Sequence, residues 1–94
     1  MSVKKIIAEK KGTMLDVRSP SEFREGNANG SINIPLQDLR QRIEEVKNMK
    51  LPIIACCASG NRSGQASTIL TQLGIECING GSWTDIKYYQ SKSN

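Results

Sequence analysis

The segment Leu51-Pro52-Ile53-Ile54-Ala55-Cys56 constrains the fold of this chain more than any other. It is short and almost unbroken in its apolar character, the pattern of a strand buried on both faces of a parallel sheet. Pro52 stands near its start, where a missing N–H does little harm. Such a strand needs cover on both faces, and the flanking sequence supplies helical patterns. Ala66, Ile69, Leu70 and Leu73 recur at i, i+3, i+4 and i+7, and Gly74 closes the helix they define. Leu36, Leu39, Ile43 and Val46 space like one face of a helix reaching about Asn48. Val3 to Lys11 reads as a short amphipathic helix with Val3, Ile6, Ile7 and Lys10 on one side, stopped by Gly12.

Strand-like runs alternate with these helices: Thr13 to Val17, Ser31 to Ile34 ended by Pro35, and Ile75 to Asn79. Ser19-Pro20-Ser21-Glu22 reads as a helix start, with Ser19 as N-cap, Pro20 at the first helical position and Glu22 completing a capping box. Phe23 is expected to be that helix's core contact. Gly26 to Gly30 is a loop of residues that tolerate positive φ, and Gly80-Gly81 a turn into a short tail. The chain has no internal repeat and no linker. The expectation is one domain over residues 1–94, an α/β fold with a small parallel sheet of about four strands and helices on both faces. Its ligand site belongs at the C-terminal ends of the strands.

Cys57 falls at such an end. The run Cys57-Ala58-Ser59-Gly60-Asn61-Arg62-Ser63 puts a thiol after the apolar strand and before an amphipathic helix. Loop N–H groups and a helix N-terminus converge there, and both favour negative charge. Such surroundings lower a cysteine pKa and produce the thiolate, the nucleophilic form. Gly60 lets the loop backbone approach an anion closely, and Arg62 adds a permanent forked cation suited to an oxyanion. Cys56 is expected to point away from the loop, because side chains alternate along a strand. Cys77 is expected in the core.

Composition excludes several chemistries. Three cysteines in 94 residues, without scaffold spacing, argue for a reducing compartment, here read as the cytoplasm. The absence of histidine removes Cys-His hydrolase mechanisms and the usual metal ligand, so no metal and no cofactor are expected. No apolar run reaches membrane-spanning length, and Lys4-Lys5 is not followed by a signal-peptide core. The net charge of +4 comes from interleaved charges with only four aromatic residues, which does not suit nucleic-acid binding. A small anion or an acidic partner fits better. With few surplus apolar residues, a monomer is expected.

From Met14 to Trp83 the sequence resembles the rhodanese (sulfurtransferase) family in its single-domain form. Four segments carry the resemblance: Leu15-Asp16-Val17-Arg18-Ser19-Pro20-Ser21-Glu22-Phe23, Gly30-Ser31-Ile32-Asn33-Ile34-Pro35, the Cys57–Ser63 loop, and Asn79-Gly80-Gly81-Ser82-Trp83. Two departures stand out. Gly26-Asn27 occupies the place of the family's Gly-His pair, which bears on local packing. The first helix also lies close to the start of the sequence, so an N-terminal strand found in many relatives is not expected, and the sheet should have four strands instead of five.

The resemblance implies a ping-pong reaction through a Cys57 persulfide. The sulfur donor would be a small anion such as thiosulfate or a persulfide-carrying protein, and the acceptor a thiol or cyanide. Amides from Ala58 to Arg62 would steady the persulfide, and Arg62 would hold the donor's anionic group or tie the loop through a carboxylate. Ser59 and Ser63 would donate hydroxyls to the sulfur, or Ser63 would cap the helix. Asp16 and Arg18 would brace the site, and Trp83 would pack at its rim. Two other readings fit parts of the pattern: a Cys-dependent phosphatase or arsenate reductase, and a non-catalytic module of the same fold. Four residues separate Cys57 from Arg62, whereas the related phosphatases have five and a wider cradle. Loss of the loop cysteine usually marks a non-catalytic module, and here it is kept.

Overall fold

The computed structural model describes residues 2–92. Four parallel strands form one sheet: β1 (Thr13–Asp16), β2 (Ile32–Asn33), β3 (Ile53–Cys57) and β4 (Cys77–Ser82), in the spatial order β2-β1-β3-β4. The helices are α1 (Val3–Ala8), α2 (Pro20–Glu25), α3 (Ile43–Lys47), α4 (Asn61–Gln72) and α5 (Trp83–Lys92). All five residues of β3 are buried, as its apolar run demands.

Alternation along β3 divides the interior in two. Ile53, Ala55 and Cys57 join Leu15, Leu39, Val46, Ala66 and Leu70 on one face of the sheet. Ile54 and Cys56 join Ile6, Ile7 and Ile86, contributed by α1 and α5, on the other. The neighbouring cysteines therefore lie in different cores, as alternation requires. The charges divide unevenly as well. Six lysines on α1, its exit turn and α5, set against Glu9 and Asp85, carry +4, which equals the charge of the whole chain. The net charge thus lies on the α1–α5 layer, across the sheet from Cys57.

Several elements differ from the sequence expectation. Helix α1 ends at Ala8, and Lys10 turns the chain with φ 55° instead of extending the helix. The segment after Pro35 is two 3-10 turns, Leu36–Asp38 and Arg40–Arg42, before the short α3. The Leu39 amide bonds the Leu36 carbonyl at 3.2 Å, a tighter winding that still carries Leu39 into the core. Phe23 is only half-buried, and α2 buries no residue completely. Leu73 lies past the end of α4 and is 50 % exposed.

The largest correction is at the C-terminus. Gly80-Gly81 is no turn: β4 runs through it to Ser82, and the ten-residue α5 follows. The strand continues because Gly80 lies flat against β3. An added Cβ there would stand 2.7 Å from Ile54 Cγ2 and 3.1 Å from the Ala55 carbonyl oxygen. Gly80→Ala is expected to destabilise the protein by about 1–3 kcal/mol through this overpacking, readable as a lower urea midpoint with an unchanged slope.

Candidate active site

Cys57 is the last residue of β3, and its side chain has no solvent exposure. The chain then turns through exposed Ala58 and Ser59 to Gly60, whose φ of 100° is open to glycine at little cost, and enters α4 at Asn61. That turn aims amides at the sulfur. The Gly60 N–H donates to Cys57 Sγ at 3.0 Å and the Ser63 N–H at 3.4 Å, while the Ser63 hydroxyl lies 3.4 Å away. Gly60 is the N-cap of α4, so the thiol sits on a helix N-terminus of twelve residues. Ser63 lies inside the first turn and does not cap it, which corrects that part of the expectation.

These contacts act on the thiol in opposite directions. Burial raises its pKa and is the largest single influence. The Ser63 hydroxyl and the N–H groups of Ser63, Gly60 and Ser59 together outweigh it and bring the value down to about 7. The other two cysteines go the other way. Burial, with the Asp16 carboxylate nearby, pushes Cys56 up to about 12, and burial raises half-buried Cys77. Nucleophilic chemistry therefore concentrates on one of three thiols.

Arg62 does not face the sulfur alone. Its Nη1 and Nη2 donate to Glu22 Oε1 and Oε2 at 2.7 and 2.9 Å, a bidentate pair joining α4 to α2. Of the two roles expected for Arg62, this geometry displays the loop tie. The Arg62 hydrogen bonds, helped by the Ser19 N–H, hold the Glu22 carboxyl down to about 2. Its contribution to stability is whole above its ordinary value of 4.5 and is lost as pH falls toward about 2. Both side chains are about a third exposed, so the pair is worth about 1 kcal/mol or less. Arg62→Ala should shrink the stability loss in that acid window, leaving the part that Ser19 supplies, seen as a flatter plot of urea midpoint against pH.

Asp16 and Arg18 form a second ion pair deeper in the structure. Arg18 Nη2 donates to Asp16 Oδ2 at 2.8 Å, and Nε donates to Oδ1 at 2.9 Å. Asp16 is fully buried and Arg18 is 3 % exposed. The guanidinium also donates to the carbonyls of Glu22 and Gly26 and lies 4.7 Å over the Trp83 ring. It thereby joins β1, α2 and the start of α5 beneath the loop. Trp83 packs half-buried against Gly26, and Asn27 closes α2 by donating from Nδ2 to the Phe23 carbonyl at 2.8 Å. Asn61 is exposed at the start of α4 and points to no partner among the described contacts of the site.

Two residues were not read as parts of this site from sequence. In sequence Glu22 shows its capping box, which is present, and its place in the first family-like segment. Asn79 was read as strand. It pairs in register with Ala55 on β3, beside the loop, and its side chain meets Gly60, Ser63 and Gly81. No local pattern signals that contact.

A buried thiol at the C-terminal end of a central parallel strand, ringed by amides of the following helix, defines a Cys-loop α/β protein. The rhodanese-like domain model matches residues 2–88. The chain is 40 % identical over 65 residues to the uncharacterized protein YqhL of Bacillus subtilis, covering 69 % of this chain and 51 % of that protein. It therefore spans about half the length of that relative. It is 35 % identical over 74 residues to the thiosulfate sulfurtransferase PspE of Escherichia coli, covering 77 % of this chain and 71 % of PspE. The crystal structure of a rhodanese-related protein from Thermoplasma volcanium superposes with a TM-score of 0.75 at 33 % identity, covering 98 % of this chain and 90 % of that one. The chain belongs to the rhodanese-like domain family. The four-stranded parallel sheet agrees with that membership and with the expected fold. No helix among the described residues is long and apolar enough to cross a membrane.

Proposed function

We propose that this protein is a sulfurtransferase that carries sulfane sulfur as a persulfide on Cys57. The observation that carries this reading is the sulfur itself, which accepts N–H groups from Gly60 and Ser63 at the head of α4. The Cys57 thiolate attacks the outer sulfur of thiosulfate. A new S–S bond forms to Cys57, the S–S bond of thiosulfate breaks, and its electron pair leaves with sulfite. A thiol or cyanide then attacks the outer sulfur of the persulfide and returns the thiolate. Loop amides from Ala58 to Arg62 steady the anionic outer sulfur as an oxyanion hole would. No histidine base is needed, because the thiolate exists before attack.

A protein or low-molecular-weight persulfide is an equally good donor. Arg62 is the single cation in the loop and is already paired with Glu22, while the net positive charge lies across the sheet. Free thiosulfate is therefore drawn in weakly, and activity toward it should be modest. The same pairing makes Arg62 a poor clamp for a phosphoryl group, which counts against the phosphatase reading. We further propose a monomer working in the reducing cytoplasm, consistent with three unbridged cysteines.

Intact-protein mass spectrometry after brief exposure to thiosulfate tests the reading. The native protein should gain one sulfur, about 32 Da, with release of sulfite. No adduct with either thiosulfate or a small-molecule persulfide would refute it, and turnover of an aryl phosphate without sulfur transfer would favour a phosphatase.

A further inference from the structure

We propose that Asn79 is a positioning residue that competes with Cys57 for the single hydroxyl proton of Ser63, and so sets the proton state of the nucleophile. The orientation of the Asn79 amide is fixed by two backbone groups. Its Oδ1 accepts the Gly81 N–H at 3.0 Å, and its Nδ2 donates to the Gly60 carbonyl at 3.0 Å. Oδ1 is therefore the atom that faces Ser63 Oγ, at 2.7 Å. An amide oxygen only accepts, so the Ser63 proton lies on the line to Asn79.

That assignment directs the chain of bonds. While Cys57 is a thiol, its S–H donates to Ser63 Oγ across 3.4 Å, and Ser63 donates onward to Asn79. When Cys57 ionises, the Ser63 hydroxyl must leave Asn79 to reach the sulfur. Two oxygen acceptors then face each other at hydrogen-bond distance with no proton between them. Asn79 thus favours the thiol and opposes the thiolate, against the Gly60 and Ser63 amides, which favour the thiolate. Loss of the Asn79 side chain does not free the loop, because the Gly60 carbonyl also accepts the Gly64 N–H at 3.0 Å within α4.

Asn79 makes no hydrogen bond to the charged and titratable groups around Cys57. They are Arg62 on α4, paired with Glu22 of α2, the Asp16–Arg18 pair of β1 and its exit, Cys56 on β3, and half-buried Cys77 on β4. Ser63 and the backbone of Gly60 and Gly81 are the hydrogen-bond partners of the Asn79 side chain.

The test is the rate of iodoacetamide alkylation of Cys57, followed on its peptide by mass spectrometry from about pH 5 to about pH 9. Asn79→Ala lets the Ser63 hydroxyl turn to the thiolate without leaving an acceptor behind. The midpoint should fall by about one pH unit, giving roughly tenfold faster alkylation on the acid limb. In a Ser63→Ala background the same substitution should leave the midpoint where Ser63→Ala alone puts it. Asn79→Asp keeps an acceptor facing Ser63 and should not lower the midpoint below that of the native protein. An unchanged or raised midpoint in Asn79→Ala, or a fall of the same size in the Ser63→Ala background, would overturn the proposal. Asn79→Ser, whose hydroxyl is too short to reach Ser63, carries the same expectation and serves if Asn79→Ala does not fold. The inference rests on Cys57 as nucleophile, but alkylation needs no sulfur donor. A protein that takes sulfur from neither thiosulfate nor a small-molecule persulfide yet shows the shift would refute the sulfurtransferase reading and leave this one standing.

Discussion

Asp16→Asn is expected to lower the free energy of unfolding by about 3–5 kcal/mol, because it leaves a buried guanidinium without its counter-charge. The Asp16 carboxylate has no solvent exposure and accepts three kinds of bond from Arg18. Oδ1 takes the backbone N–H at 3.0 Å and Nε at 2.9 Å, and Oδ2 takes Nη2 at 2.8 Å. An asparagine matches the shape of aspartate but turns one acceptor into a donor aimed at Arg18. The carbonyls of Glu22 and Gly26 and the Trp83 face would remain as partners, which hold a cation but do not neutralise it. Urea denaturation at neutral pH measures the effect. A loss below about 1 kcal/mol would mean that water reaches Arg18 in the variant and that the pair is not closed off. Because Arg18 joins β1, α2 and α5 below the Cys57 loop, the variant should also slow any reaction of Cys57 at temperatures well under its midpoint.

Persulfide formation should follow the thiolate, rising tenfold per pH unit below about 7 and levelling above it. Cys57→Ser should abolish the sulfur adduct and lower transfer by about a thousandfold or more, since a hydroxyl in the same cradle stays protonated at every working pH. The sign follows from the contacts. Burial alone would push the midpoint above the ordinary value of 9.0, and the hydroxyl and amide contacts reverse it. A profile still rising between pH 8 and 9 would show that burial dominates and that the amides of Gly60 and Ser63 do not hold the sulfur as drawn. Stopped-flow sulfite release, with wild type and Cys57→Ser side by side, reads both expectations in one experiment.

Much of the architecture is legible before any coordinates. The unbroken apolar run into Cys57 dictates a central parallel strand, the Ser19–Glu22 capping box is present as read, and Gly74, with φ 79°, ends the α4 helix. Helix α5 is not legible from periodicity, because its apolar positions are few and Gly80-Gly81 reads locally as a turn. A signal was available: Ser82 stands three residues before Asp85, and its hydroxyl accepts the Asp85 N–H at 3.1 Å, a helix cap. The 3-10 turns after Pro35 preserve the spacing of Leu36, Leu39, Ile43 and Val46, so periodicity alone did not separate them from one helix.

Local order of residue types suffices to put a thiol at the end of a buried strand and a helix N-terminus behind it, because both follow from hydrogen bonds and burial within a short stretch of chain. The partners of the charged groups do not follow in that way. Arg62 meets Glu22 forty residues away, and Asn79 meets Ser63 sixteen residues away. Each pairing depends on how the crossovers bring distant elements side by side, α4 against α2 and β4 against the loop after β3. Chain order determines which loop groups stand next to Cys57. Packing determines which of them are free to face the sulfur and which are already held by another side chain.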